Sequence, residues 1–142
     1  MLLEHYISSV NYLSLLVSAV IFWVLGSVWF GPFFGKTWRT ELEKHGVKIE
    51  KPTTTIMVLK SILTFLMNLL LVIGIGFFVY FMGLSNLMGA VKLGLLFGIS
   101  FSLTTLLIAY TWENKSLKLL LLDSGYPFFG IIISSIILTF WR

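Results

Sequence analysis

Residues 25–46 read LGSVWFGPFFGKTWRTELEKHG. The stretch is apolar as far as Phe34 and then turns charged within two residues. A join this abrupt is expected where a chain leaves a bilayer. Trp29 and Phe30 fall where an interfacial aromatic belt belongs, and Gly31-Pro32 is expected to end the regular helix. Lys36 to His45 then predicts a short amphipathic helix on the membrane surface. In that helix Trp38 and Leu42 share a face, and Arg39 and Glu43 are spaced for an i, i+4 ion pair. Gly46 is placed as a C-cap, and Lys51-Pro52-Thr53-Thr54-Thr55 supplies the proline and threonine that suit the start of a second span. The segment is either a docking surface or a plain loop anchored by Trp38.

Composition agrees with that environment. The 142 residues are 58% hydrophobic and only 11% charged, with mean hydropathy +0.98, which lies well outside the usual range of soluble domains. There is room for several spans of roughly 20 residues but not for an additional soluble domain. Cysteine is absent, which removes disulfides, thiolate metal sites and cysteine nucleophiles together. The formal charge of +4 does not point to nucleic acid, because the basic residues flank apolar runs and form no separate basic domain.

Apolar runs of spanning length cover about residues 11–30, 55–81, 87–112 and 119–141. Unsatisfied backbone is not tolerated in lipid, so runs of this length are helices. The expected fold is all-α: a polytopic integral membrane protein, with four transmembrane helices in one compact domain over residues 1–142 and a short interfacial helix after the first span. The leader MLLEHYISSV carries Glu4 and no Lys or Arg, so the first span is expected to be a retained helix and not a cleaved signal peptide.

Charge sets the orientation. Lys36, Arg39, Lys44, Lys48, Lys51, Lys60, Lys115 and Lys118 fall on one side and only Lys92 and Arg142 on the other. The positive-inside rule then places connections 31–54 and 113–118 in the cytoplasm and both termini outside, with the cell membrane as the expected location. Trp29, Trp38, Trp112 and Trp141 are the expected interfacial anchors.

Polar residues inside the spans form stripes. Gly94, Gly98 and Ser102 recur every four residues, a small-xxx-small face. Asp123, Tyr126, Gly130 and Ser134 share one side of the last span, as Asn11, Ser14 and Ser18 do in the first. These stripes either hold the helices together or line a polar path inside the bundle or an oligomer. Lys60 and Asp123 lie at similar depth: either they pair, with Thr64 and Tyr126 completing a small intramembrane polar site, or Lys60 snorkels to the headgroups and Asp123 reaches water alone. His5 and His45 are expected on opposite sides of the membrane, so neither a metal site nor a cofactor site is expected. HExxH, GxSxG and phosphate-loop patterns are absent from the sequence, and Gly74-Ile75-Gly76 sits inside an apolar run, where it reads as a packing point. The echo between GPFFG at residues 31–35 and YPFFG at residues 126–130 has flanks that do not align, and is taken as coincidence.

Two end segments resemble the membrane family called domain of unknown function 1761. The shared residues are Asn11-Tyr12, Gly26, Trp29, Gly31-Pro32, Phe34-Gly35-Lys36 and Trp38, then Glu113, Leu117-Lys118-Leu119, Asp123, Gly125-Tyr126 and Trp141-Arg142. Pro127 departs from the pattern, and the middle of the chain matches in hydropathy alone. The resemblance implies a small four-helix membrane protein and carries no activity with it.

Three functions remain open. A non-enzymatic accessory or interaction role is the expectation, with the lipid bilayer and a second copy of the chain as partners. An oligomeric channel or transporter for ions or small solutes would need polar residues aligned through the full thickness. A lipid-handling enzyme would need a catalytic cluster at one interface, for which Asp123, Tyr126, Glu113 and Lys115 are the available residues.

Overall fold

The computed structural model describes residues 1–141. Among them it has helices α1 (Leu2–Ser9), α2 (Tyr12–Phe33), α3 (Gly35–Lys44), α4 (Thr54–Phe81), α5 (Leu87–Trp112) and α6 (Leu117–Phe140), and no strand. Helices α2, α4, α5 and α6 are each long and apolar enough to cross a membrane, with mean hydropathies from 1.7 to 2.6. The protein is therefore an all-α polytopic bundle. Arg142, counted above on the side of the termini and in the family pattern, lies outside the described residues.

The join at residues 29–35 differs from the sequence expectation. Gly31-Pro32 does not stop the helix; the final turn of α2, Trp29–Phe33, widens into a π-helix with Pro32 inside it. Proline lacks an N–H to donate, and the wider turn accommodates that loss. The chain then breaks at Phe34 (φ −117°, ψ 0°) and α3 begins at once. A second π segment, Gly98–Leu103, interrupts α5. Helix α3 ends at Lys44, and Gly46 closes it as the sequence predicts, with a φ of +76° that favours glycine. The N–H of Gly46 donates to the Glu43 carbonyl at 3.0 Å and that of Val47 to Leu42 at 3.1 Å, the paired bonds of a Schellman motif.

Helix α1 was not anticipated. Its anchor is Tyr6, 2% exposed, whose ring meets Phe77 and Tyr80 and whose hydroxyl donates to the Ile73 carbonyl at 3.2 Å. Burial, with the nearby Tyr12 adding to it, pushes the Tyr6 phenol up to about 12.

Helix α6 is the centre of the bundle. In its spanning window 39% of residues are buried, against 17–28% in the other three, and α2, α3, α4 and α5 all pack on it. Lipid tails are as apolar as leucine, so burial alone does not drive helices together; close backbone approach does. A Cβ added at Gly94 would lie 2.7 Å from the Ile132 Cα, and one at Gly98 would lie 2.6 Å from the Phe128 ring. Across the other seam, one at Gly26 would lie 2.8 Å from the Tyr126 ring, and Gly130 makes room for the Phe22 ring. Around these contacts Leu15, Phe22, Val72, Ile75, Ile131 and Leu138 form the apolar core.

Candidate functional site

Most of the polar chemistry gathers at the end of the bundle that carries the basic connections. There α3 lies against α6 and against the connection from α5, and side chains from all three interlock.

Asp123 stands in the second turn of α6 and is used on both oxygens. Its Oδ1 accepts the indole N–H of Trp38 at 2.8 Å, and its Oδ2 accepts a hydrogen bond from the Tyr110 hydroxyl. One side chain thus ties α3 and α5 to α6. Tyr110 is itself held at the end of α5, where the Lys115 ammonium sits 4.7 Å from its ring centroid and pairs with Glu113. The connection can fold back this way because Asn114 takes φ +51°, which lets the Lys115 N–H close on the Tyr110 carbonyl at 3.1 Å.

Glu41 is the second centre, only 4% exposed although it lies on a surface helix. Its Oε1 accepts from Lys44 at 2.8 Å and from Lys118 at 3.3 Å, and its Oε2 accepts the Ser116 hydroxyl at 3.2 Å. The hydrogen bond from Lys44 dominates and, with Lys118 and Ser116, holds the carboxyl at about 2 despite the opposing push of burial. Ser116 is also the N-cap of α6, its Oγ accepting the Leu119 N–H at 3.2 Å. Its own N–H donates to His45 Nε2 at 3.1 Å, so the end of α3 is fastened to the start of α6.

Deeper in the bundle the Tyr126 hydroxyl donates to Asn68 Oδ1 at 2.9 Å, and the Trp29 indole donates to the Leu122 carbonyl at 2.9 Å. Aromatic rings fill the space between α2 and α6 at this level. Ring centroids lie 5.3 Å apart for Phe22 and Tyr126, 5.8 Å for Phe30 and Tyr126, and 5.1 Å for Phe30 and Trp38.

The four residues expected to form one polar site do not assemble. Lys60 is exposed and makes no ion pair among the described residues, and Thr64, also exposed, turns its hydroxyl back to the Lys60 carbonyl at 2.8 Å. Asp123 and Tyr126 are each engaged elsewhere. Similar depth did not bring Lys60 and Asp123 together because the first turns of α4 carry no buried residue, whereas the first turns of α6 are covered by α3. The Arg39–Glu43 pair is likewise absent among the described residues: both side chains are exposed, and the intrahelical pair is Glu41–Lys44 at i, i+3.

Of the expected anchors, Trp112 is 84% exposed and Trp141 41%, while Trp29 and Trp38 are half-buried donors to α6. Gly94, Gly98 and Gly130 face α6 or α2 as described, Ser134 is buried, and Ser102 is half-buried in the second π segment. Glu41, Tyr110 and Asn68 were missed as members of the site. For Tyr110 a signal existed: the short 113–116 connection makes α5 and α6 antiparallel neighbours, so a long side chain one turn before it can reach one turn into α6.

The chain belongs to the family described as Protein of unknown function (DUF1761), which it matches over residues 13–139. The match therefore runs through the middle of the chain as well as the two ends. No curated protein and no solved structure shows a match.

Proposed function

We propose that this member of the family is a non-enzymatic integral membrane protein with an accessory or interaction role. It sits in the cell membrane, with connections 31–54 and 113–118 cytoplasmic and both termini outside, and its partners are the bilayer and a second copy of itself. Nucleic acid is not among them. The observation that carries this reading is the use of Asp123: both oxygens are taken up in tying α3 and α5 to α6. A carboxylate spent on fastening three helices is a structural group, not a free acid, base or ion ligand. The rings of Phe22, Phe30 and Tyr126 support the same reading, since they interrupt the polar stripe between α2 and α6 with apolar surface.

Proteoliposomes test it directly. Purified protein is expected to leave proton, Na⁺ and K⁺ flux at the level of protein-free vesicles, and its mass in detergent is expected to exceed that of one chain. A flux above background that Asp123→Asn or Tyr126→Phe abolishes would overturn the accessory role in favour of conduction.

A further inference from the structure

Gly74 and Gly76, read from the sequence as one packing point, face different surroundings. A Cβ added at Gly76 would lie 2.5 Å from the Tyr6 hydroxyl oxygen, whereas one at Gly74 would meet nothing within 4 Å. Glycine inside a helix is less favourable than alanine, and at Gly74 no close approach of another helix accounts for it. What Gly74 leaves open is part of a crevice of about 370 Å³ between α4, α5 and α6. Leu71, Gly74 and Phe78 line it from α4, Phe97 and Phe101 from α5, and Ile131 from α6. Helices α4 and α5 both pack on α6, so α6 forms the back.

The crevice lies within the spanning segments. Counted at 1.5 Å per residue from the helix ends nearest the termini, Gly74 is about 10 Å along α4 and Phe97 about 15 Å along α5, inside a hydrocarbon core of roughly 30 Å. The rings of Phe78 and Phe97 meet edge-on with centroids 4.9 Å apart and close the crevice towards the termini, while Phe101 stands against Phe97 at 5.2 Å. Gly74, Phe78 and Phe101 are all exposed, so the crevice opens sideways, at the level of the lipid tails.

The walls decide what fills it. Left empty, it would forfeit the dispersion contacts of every side chain that lines it. Water needs hydrogen-bond partners that these walls do not offer: among the described lining residues only Ser102 has a polar side chain, and its hydroxyl is enclosed. A helix with its side chains is about 10–12 Å across, too broad for a crevice of this volume. We propose that the crevice is the seat of one acyl chain of a bilayer phospholipid, lying against Gly74 and flanked by the rings of Phe78, Phe97 and Phe101. This narrows the bilayer contact proposed above to one place on the surface, and it rests on the chain lying in a membrane, not on the accessory role.

Photolabelling tests it. The full chain is placed in vesicles of dioleoylphosphatidylcholine in which a small fraction of the lipid carries a diazirine at the middle of one acyl chain. Illumination and peptide mapping are expected to find severalfold more label on Leu71, Phe101 and Ile131 than on Val20 and Val24, which are exposed on α2 at about 12–18 Å from Tyr12. A side chain added at Gly74 starts in open space, so Gly74→Leu is expected to fold and to bring the crevice label down to the level at Val20 and Val24. Label in the parent no denser in the crevice than at Val20 and Val24 overturns the proposal, as does label unchanged by Gly74→Leu in a protein that keeps the parent's thermal unfolding. A sterol with the same diazirine that labels the crevice in preference to the phospholipid would overturn the acyl-chain assignment. The parent comparison needs no variant, so it decides alone if Gly74→Leu misfolds, and uniform labelling would leave the accessory role standing.

Discussion

Trp38 and Asp123 lie 85 residues apart in the chain and meet at 2.8 Å, with the indole N–H donating to the carboxylate. A tryptophan placed for an interfacial anchor is thereby turned inward, and an acidic residue in a spanning helix gains a partner that carries no opposite charge. Hydrogen bonds to a charged group contribute roughly 1.5–3 kcal/mol, more than neutral ones. Trp38→Phe keeps the ring against Phe30 and removes only the donor. It is expected to destabilise the protein by about that amount in thermal denaturation in detergent, and Asp123→Leu by more, because it frees Tyr110 as well. A Trp38→Phe protein as stable as the parent would show that the bond contributes nothing.

The same geometry sets the expectation for Lys60. It is exposed and unpaired among the described residues, so Lys60→Met should change stability by no more than about 0.5 kcal/mol. Combined with Asp123→Leu the effects should add, as they do for sites without shared partners. Recovery of stability in the double variant would restore the ion pair that the packing argues against.

How far the sequence could be read follows from these residues. Hydropathy sets which segments span, and the four runs came within a few residues of α2, α4, α5 and α6. It also sets depth. What it does not carry is rotation about each helix axis, and Lys60 and Asp123 were paired on depth alone. The π segments at Trp29–Phe33 and Gly98–Leu103 shift that rotation further and have no local signature beyond Pro32. Helix α1 was lost for another reason: at eight residues it is too short to stand alone, and it persists because Tyr6 docks on α4.

Glu41 gives the latch between α3 and α6 a defined response to acid. Its carboxyl titrates at about 2 in the folded protein against an ordinary 4.5, because Lys44, Lys118 and Ser116 favour the charged form. A lowered folded value means that its stabilising contribution is complete above pH 4.5 and is lost as pH falls from there towards 2. Trp38 fluorescence or proteolysis of the exposed 46–53 connection should report release of α3 across that window. Glu41→Gln should release it more readily at neutral pH and flatten the acid response. A parent protein whose α3 loosens between pH 6 and 5, well above that window, would implicate a different group.

Orientation is decided by labelling. Cysteines introduced singly at Ser8 and Lys48 sit at opposite ends of the bundle, on α1 and in the connection after α3. With an impermeant reagent on intact cells, Ser8→Cys is expected to react and Lys48→Cys to react only after permeabilisation, because eight of the ten Lys and Arg residues fall in or near connections 31–54 and 113–118. The reverse pattern would invert the topology.

The two glycines of α5 that face α6 predict an order of effects. At Gly94 an added Cβ would lie 2.7 Å from the backbone Cα of Ile132, and a backbone atom in the middle of a helix cannot step aside without moving the helix. At Gly98 the obstacle, at 2.6 Å, is the ring of Phe128, a half-buried side chain that can rotate away. Gly94→Ala should therefore be the more damaging, by roughly 1–3 kcal/mol as for other overpacked sites, and Gly98→Ala milder. Gly98→Leu exceeds what ring rotation can absorb and should disturb folding, while Leu95→Ile, on the exposed face, should not. Thermal unfolding and sizing in detergent give the ranking. Were Gly98→Ala worse than Gly94→Ala, the α5–α6 seam would be held by the Phe128 ring and not by backbone contact at Ile132.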